Sequence, residues 1–262
     1  MTTRPTVAPA IRQTKGGVQS VERAFGLLDC IANSSGSATL SHIAAEVNLP
    51  LPTIHRLLNT LVNLGVVRQL PNRGYALGPG LVRLGNLAGQ QLGAIARPYL
   101  RNLVQELGES ANVATLDGDM VVYVDQVASQ RQMRMFTEVG RRTHMHDTGV
   151  GKAILAELEP EQVRSIVATA GMPTPTEHSI GTIEDLEAEL ERIRERGYSI
   201  DEQEQELGVR CFAMSIPDAP APLAISVSGP ISRVDQAFAD RAIPLLRSAA
   251  EQISREMNGG AA

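Results

Sequence analysis

Apolar residues recur most regularly between positions 39 and 78. Leu40, Ile43, Ala44 and Val47 share one helical face, with Thr39 or Ser41 available as an N-cap. Asn48-Leu49-Pro50 then breaks the helix, because a proline disfavours helical geometry in the residue before it. A second segment opens with Pro52 as its first helical residue. Ile54, Leu57, Leu58, Leu61 and Leu64 form its stripe, and Gly65 stops it. The period then shortens: residues 66–70 and 75–77 flank Pro71-Asn72-Arg73-Gly74, which predicts a β-hairpin with a basic tip. Upstream, Ser20 can cap a helix whose apolar face is Val21, Ala24, Leu27, Leu28 and Ile31, and residues 33–37 form a loop. Three helices followed by a hairpin predict a winged helix-turn-helix domain over residues 18–79.

Beyond it, residues 80–89 keep helical spacing despite three glycines, and the stretch 80–96 reads as a linker helix. A further helix starts at Pro98, with Leu100, Leu103, Val104 and Leu107 on one side and Gly108 at its end. Pro244-Leu245-Leu246-Arg247 echoes Pro98-Tyr99-Leu100-Arg101, which suggests two helices lying side by side. Strand-like stretches follow at 112–116 and 120–127 around a Gly118-Asp119 turn, with a third at 133–136. Helices are predicted at 151–158, 161–169 and 182–196. The last has Thr182 and Asp185 at capping-box spacing, Gly197 after its end, and Ile183, Leu186, Leu190 and Ile193 as its stripe. Strands at 209–216 and 222–228 precede a C-terminal helix over 234–257, bent at Pro244. Clustered strands with helices beside them make residues 97–262 an α+β domain. Residues 1–17, rich in Thr, Pro and Gly, read as a flexible tail.

Composition adds two constraints. A hydrophobic fraction of 43% and a charged fraction of 20% are those of a soluble globular protein. There is no membrane-length apolar run and no signal-peptide core, so a cytoplasmic location without membrane contact is expected. Cys30 and Cys211 form no CxxC pair, so neither a disulfide framework nor a zinc ribbon is implied, and no cofactor is expected. The net charge of −5 divides unevenly: residues 1–78 hold seven basic and three acidic side chains, a net +4 that leaves −9 for the remainder. A basic head on an acidic body suits a protein whose head meets phosphates.

On the second helix of the head, Thr53, Arg56 and Asn59 recur on one face off the apolar stripe, with His55 beside them. Arg and Asn bond bidentately to guanine and adenine edges in the major groove, while Thr and His reach bases or phosphates. Such a helix reads with its N-terminal part, so the candidate DNA contacts are Pro52, Thr53, His55, Arg56 and Asn59, with Arg73 at the wing tip. One winged helix spans few base pairs, so a dimer on a pseudo-palindromic operator of double-stranded DNA follows.

In the body, Phe212, Met214 and Ile216 face one way along their strand and Cys211, Ala213 and Ser215 the other. Ile225 and Val227 likewise oppose Ser226 and Ser228. Pattern alone reads this as a sheet with one solvated side. Three enzyme-like features carry less weight. Gly151-Lys152 resembles part of a phosphate loop, but His146 and Ala153 stand where that loop needs Gly and Ser or Thr. His144-Met145-His146-Asp147 is a metal-cluster candidate. Cys211 lacks an evident activating base. A small-molecule-processing or metal-dependent enzyme built on this domain is the alternative reading.

The blocks VQSVERAFGLLDCI, LSHIAAEVNLPLPTIHRLLNTLVNLGVV, YALGPGLVRLG, GDMVVYVDQV, GVGKAILA, RERGYSIDEQEQELGVRCFA and AISVSGP, in this order, resemble the IclR family of bacterial transcription regulators. The resemblance implies a winged-helix domain, a linker helix and an effector-binding domain related to the GAF and profilin-like folds. It also implies a homodimer or homotetramer acting as a repressor or an activator, with repressor the favoured reading, and no enzymatic activity. Family members that bind small carboxylates place Asp201, Cys211, Ser226 and Ser228 around the ligand, taking the loop before the serines as two residues short of the family pattern. The helix entered at Gly151 would supply unpaired N–H groups at Gly149, Val150 and Gly151 for the carboxylate, unless Asp147 caps that helix itself. A small hydroxy- or oxo-acid fits these groups. Met133, Met135 and Met145 would instead line a larger pocket for an aromatic acid.

Overall fold

The computed structural model describes residues 17–34 and 36–259, so nearly all of the expected tail, and Ser35, lie outside the described residues. The chain divides into two compact units, Met1–Ala88 and Gly89–Ala262.

In the first unit, α1 (Gln19–Asn33), α2 (Leu40–Val47) and α3 (Leu51–Asn63) close around Leu27, Ile31, Ile43, Ile54 and Leu58, all 0% exposed. Thr39 caps α2 by accepting from the His42 N–H at 3.2 Å. Asn48, left-handed at φ 45°, makes the turn into α3. β2 (Val67–Gln69) and β3 (Tyr75–Leu77) form the wing. A two-residue strand, β1 (Ser37–Ala38), pairs with β3 and turns the end of the expected loop into sheet.

Three expectations fail here. Ser20 does not cap α1, because the helix has already begun at Gln19 and Val18 stands at the cap without a side-chain bond. Val21 is 52% exposed, and buried Cys30 shares the core with Leu27 and Ile31 instead. Leu64, 68% exposed, stands at the C-cap of α3, past the last turn that could face the core.

α4 (Gly80–Gly93) runs through the point where the units divide. The second unit is a six-stranded, wholly antiparallel sheet in the order β6-β5-β4-β9-β8-β7. Its strands are β4 (Ser110–Asp117), β5 (Met120–Val127), β6 (Arg142–Thr143), β7 (Ser199–Glu202), β8 (Val209–Ser215) and β9 (Leu223–Pro230). α5 (Ala96–Leu107) and α9 (Gln236–Met257) pack side by side on one face, against Val113, Phe212, Met214, Ile225 and Val227. α5 begins two residues before Pro98, which its first turn accommodates. α6 (Gly149–Ala156) and α8 (Ile183–Arg196) cover the other face, with α7 (Pro160–Ala170) beside α8. Thr182 caps α8 and Gly197, left-handed, ends it. The sheet therefore has no solvated side: each alternating set of side chains meets its own pair of helices.

The strand expected at 133–136 is absent. Residues 128–141 instead form an irregular strap ahead of β6. Side chains hold its middle, where Ser110 Oγ donates to the Met135 carbonyl at 2.7 Å and Arg233 to the Met133 carbonyl at 2.9 Å, and backbone bonds of Gly140 and Arg141 to Tyr123 hold its end. Among the described residues, no helix is long and apolar enough to cross a membrane.

Candidate functional site

α3 buries Ile54, Leu58 and Leu61 and leaves Pro52, His55, Arg56 and Asn59 exposed, with Thr53 half-buried at its first turn. The helix contains no acidic residue, so its N-terminal partial charge and its side chains carry the same sign. Thr60 donates to the Arg56 carbonyl at 2.9 Å, fixing the turn from which the guanidinium extends. At the wing tip Arg73 is exposed and left-handed (φ 65°), in a turn closed by Asn72 Oδ1 accepting from the Gly74 N–H at 3.0 Å. The six candidate DNA contacts thus divide into five on one helix and one on the wing.

In the second unit, strand register lines polar and small side chains up across the helix-covered face bearing α6. One row runs Gln126, Asn112, Ser226, Ala213, Ser199; the next runs Ser110, Ser228, Cys211, Asp201. Asn112, 2% exposed, reaches both serine hydroxyls at 3.4 Å. The Gln126 amide ties the strap to this row, its oxygen accepting from the Thr137 N–H at 2.8 Å and its nitrogen donating to the Thr137 carbonyl at 3.2 Å.

The first turn of α6 lies directly on these rows. A Cβ on Gly149 would stand 2.9 Å from Cys211 Sγ and 3.3 Å from Ala213 Cβ, and Ser199 Oγ donates to the Gly149 carbonyl at 2.5 Å. Gly151 is pressed against the Met145 backbone, where a Cβ would come within 2.4 Å of the carbonyl oxygen. Gly149, Val150, Asp201, Cys211, Ser226 and Ser228 therefore meet in one place. Two expectations change. The Gly151 N–H is taken by Thr148 Oγ1 at 3.1 Å, so Thr148 and not Asp147 caps α6, and only the N–H groups of Gly149 and Val150 find no acceptor among the described residues. Met135 contributes its carbonyl through Ser110. Met145 is buried under α6 and Met133 is 70% exposed, so the three methionines do not line one pocket.

The charges around this turn are almost wholly enclosed. Lys152, 1% exposed, donates to Glu204 at 2.5 Å and lies 3.8 Å from Glu189. Burial would raise Glu189, but Lys152, Arg196 and Arg192 hold it below the usual carboxylate range. Asp147 and Asp201 are each 4% exposed and each pushed up to about 7. Burial is the main cause for both, followed by Asp201 for Asp147 and by Glu204 for Asp201. Burial pushes the Cys211 thiol up to about 12, which removes it as a nucleophile. His144 and His146 meet edge to face at 5.7 Å, and His146 Nε2 bonds the Pro173 carbonyl at 2.9 Å. Among the described residues no group of three or more His, Cys, Asp or Glu side chains could hold a metal ion.

Residues 20–71 match the IclR helix-turn-helix domain, and residues 85–255 match the bacterial transcriptional regulator IclR C-terminal domain. The chain belongs to the IclR family of bacterial transcriptional regulators. It is 40% identical over 238 residues to the transcriptional repressor IclR of Escherichia coli K12, covering 88% of this chain and 86% of that one. It is 39% identical to the acetate operon repressor of Salmonella typhimurium, covering 84% and 82%. An IclR regulator from Silicibacter sp. TM1040 superposes with a TM-score of 0.84 at 26% identity, covering 93% of this chain and 98% of that one. An IclR homologue from Microbacterium hydrocarbonoxydans, crystallised with 4-hydroxybenzoate, shares the fold at 21% identity and a TM-score of 0.75, covering 92% and 100%. IclR-family regulators are not enzymes, which overturns the enzyme alternative.

Asn112, Gln126, Ser110, Ser199, Lys152 and Glu204 stand around the candidate site without having been anticipated from sequence. Asn112 left a local trace, as an amide between Ala111 and Val113 in a strand, where Asn is disfavoured.

Proposed function

We propose that this chain is a repressor that reads a pseudo-palindromic operator through α3 and the wing, with that binding controlled by a small carboxylic acid held beneath α6. The observation that carries the effector reading is the pair of polar rows. Asn112, Ser226, Ser228 and Asp201 are all buried, and Asn112 spans long contacts to both serines where a packed core would have apolar side chains. They lie below two free N–H groups of a helix N-terminus, the usual arrangement for a carboxylate. A hydroxy- or oxo-acid has the extra oxygen to meet Asp201 or a serine. The 4-hydroxybenzoate found in a protein of the same fold makes an aromatic acid the second probe.

For DNA, the exposed polar face of α3 and the +4 charge of the head support major-groove reading by Thr53, Arg56 and Asn59. A homodimer is supported by apolar side chains left open on the first unit. Val18, Val21 and Phe25 are 65%, 52% and 63% exposed along one face of α1, and Val82, Leu84 and Leu87 are exposed on α4. The effector would act by changing how two heads are spaced, so that they fit or miss successive major grooves.

Arg56→Ala is expected to weaken specific operator binding by about 1–3 kcal/mol while leaving carboxylate binding unchanged. Fluorescence anisotropy on the operator, with a thermal-shift screen of pyruvate, lactate and 4-hydroxybenzoate on both proteins, checks it. Unchanged operator affinity would remove Arg56 from the reading face.

A further inference from the structure

The turn beneath α6 encloses more acid than its cations can balance. Lys152, Arg192 and Arg196 are all engaged by Glu189 and Glu204, the two arginines at 2.9 and 2.7 Å from Glu189. Two carboxyl groups remain without a paired cation. Asp201 closes the second polar row, where its Oδ1 accepts from the Glu204 N–H at 2.8 Å. Asp147 stands immediately before the cap of α6, and its buried Oδ1 has no hydrogen-bond partner.

What faces them from the neighbouring elements does not supply the missing positive charge. β5 contributes Tyr123, kept neutral by burial, with Arg141 acting on it from the strap. β8 contributes the neutral Cys211 thiol. The loop after β7 contributes Glu204 and α8 contributes Glu189, both acidic. His144 and His146 precede Asp147, and burial favours the uncharged form of each. α6 contributes Lys152, already bonded to Glu204.

A carboxylate accepting from the Gly149 and Val150 N–H groups would bring a third negative charge into this enclosure. Like charges at close range in a poorly solvated site cannot all stay ionised. We propose that the effector site takes up a proton together with its carboxylate ligand, that Asp147 and Asp201 are the groups that hold this proton, and that the site therefore selects monocarboxylates over dicarboxylates. The inference rests on the effector reading given above.

The proton comes from solvent and binds a carboxyl oxygen of Asp147 or Asp201, and no other bond changes. Both groups titrate near neutrality, pushed up to about 7 by burial and by their acidic neighbours, so the proton is available under ordinary conditions. Once protonated, either group becomes a hydrogen-bond donor, suited to a keto or hydroxyl oxygen beside the ligand's carboxylate. A second carboxylate on the ligand would face the remaining charge and be refused.

Isothermal titration calorimetry of the full chain tests this, with pyruvate, lactate and 4-hydroxybenzoate as probes and succinate as the dicarboxylate. Repeating each titration in phosphate and in Tris counts the protons exchanged, because the two buffers differ in ionisation enthalpy. With a group at about 7 raised by roughly one unit on binding, uptake of about 0.4 proton is expected near pH 7, and affinity should fall roughly fivefold between about pH 6 and pH 8. Succinate should bind at least about tenfold more weakly than the best monocarboxylate, a discrimination worth roughly one pKa unit. Asp201→Asn, which fixes the uncharged shape, should lower the proton count and flatten the pH profile. Asp147→Asn should do the same and serves if the first variant does not fold.

A monocarboxylate that binds with a buffer-independent enthalpy and a flat pH profile would overturn the inference and leave the effector reading standing. Succinate binding as tightly as the monocarboxylates would overturn the selectivity. If no probe binds at any pH, the effector reading itself falls, and this inference with it.

Discussion

Lys152→Ala is expected to destabilise the second unit by about 3–5 kcal/mol, because it leaves buried carboxylates without their cation. Lys152 is 1% exposed, and Glu204, 6% exposed, meets no other cation among the described residues. Glu189 would still be held by Arg192 and Arg196, so the loss concentrates on Glu204. Lys152 is also among the largest fully buried side chains, so its truncation adds a cavity to the electrostatic cost. Thermal and chemical melts of the full chain read the effect on this unit. Lys152→Met combined with Glu204→Gln should recover most of the loss, since removing both charges of a buried pair is far less costly than removing one. If the single variant melts like wild type, the buried pair is not what holds α6 to the loop after β7.

Stability of the same unit is expected to fall as pH rises from about 4 to about 7, by roughly 2–4 kcal/mol for each of Asp147 and Asp201 taken alone. Both carboxyl groups are raised in the folded state, from 3.8 to about 7. Between those values the folded chain keeps a proton that the unfolded chain has lost. The unfolded state therefore binds fewer protons, and stability declines with pH across that window and levels above it. His144 and His146 act in the opposite sense, because burial lowers them and folding then gains as pH rises toward 6.5. Comparing wild type with Asp147→Asn cancels the histidine contribution. The variant should be the more stable protein at pH 8, with the gap closing toward pH 4. A gap of constant size would mean that Asp147 does not titrate in this range.

Much of the DNA-binding head was legible because each of its helices is amphipathic by itself. Two of the three failures there, at Val21 and Leu64, have one cause. Spacing identifies an apolar face but not what covers it, so Val21 and Leu64 were assigned to the core although both are exposed. β1 in the head and β6 and β7 in the body are two, two and four residues long, too short to show alternation. Residues 133–136 alternate well enough, yet no neighbouring strand pairs with them. Thr148 and Asp147 are adjacent residues that can each cap a helix, and nothing local decides between them. That choice matters, since it leaves Asp147 Oδ1 without a hydrogen-bond partner.

The candidate effector site was legible only in part. Alternation along β8 and β9 separates Cys211, Ser226 and Ser228 from the face that carries Phe212, Met214, Ile225 and Val227, and the family resemblance adds Asp201 and the α6 turn. The two rows depend on register between strands far apart in the chain: Asn112 and Ser226 are cross-strand partners separated by 114 positions. Lys152 was visible only as part of a failed phosphate-loop match, because its partner Glu204 lies 52 positions away.

Control of operator binding by a carboxylate requires coupling between the two units. Full-length protein should be titrated onto its in vitro selected operator by fluorescence anisotropy, without carboxylate and then with the carboxylate that calorimetry shows to saturate the body. A pseudo-palindromic operator is expected, with a change in its affinity of about 5- to 150-fold, the usual range for coupled sites. Identical operator affinity with the body empty and saturated would contradict that control.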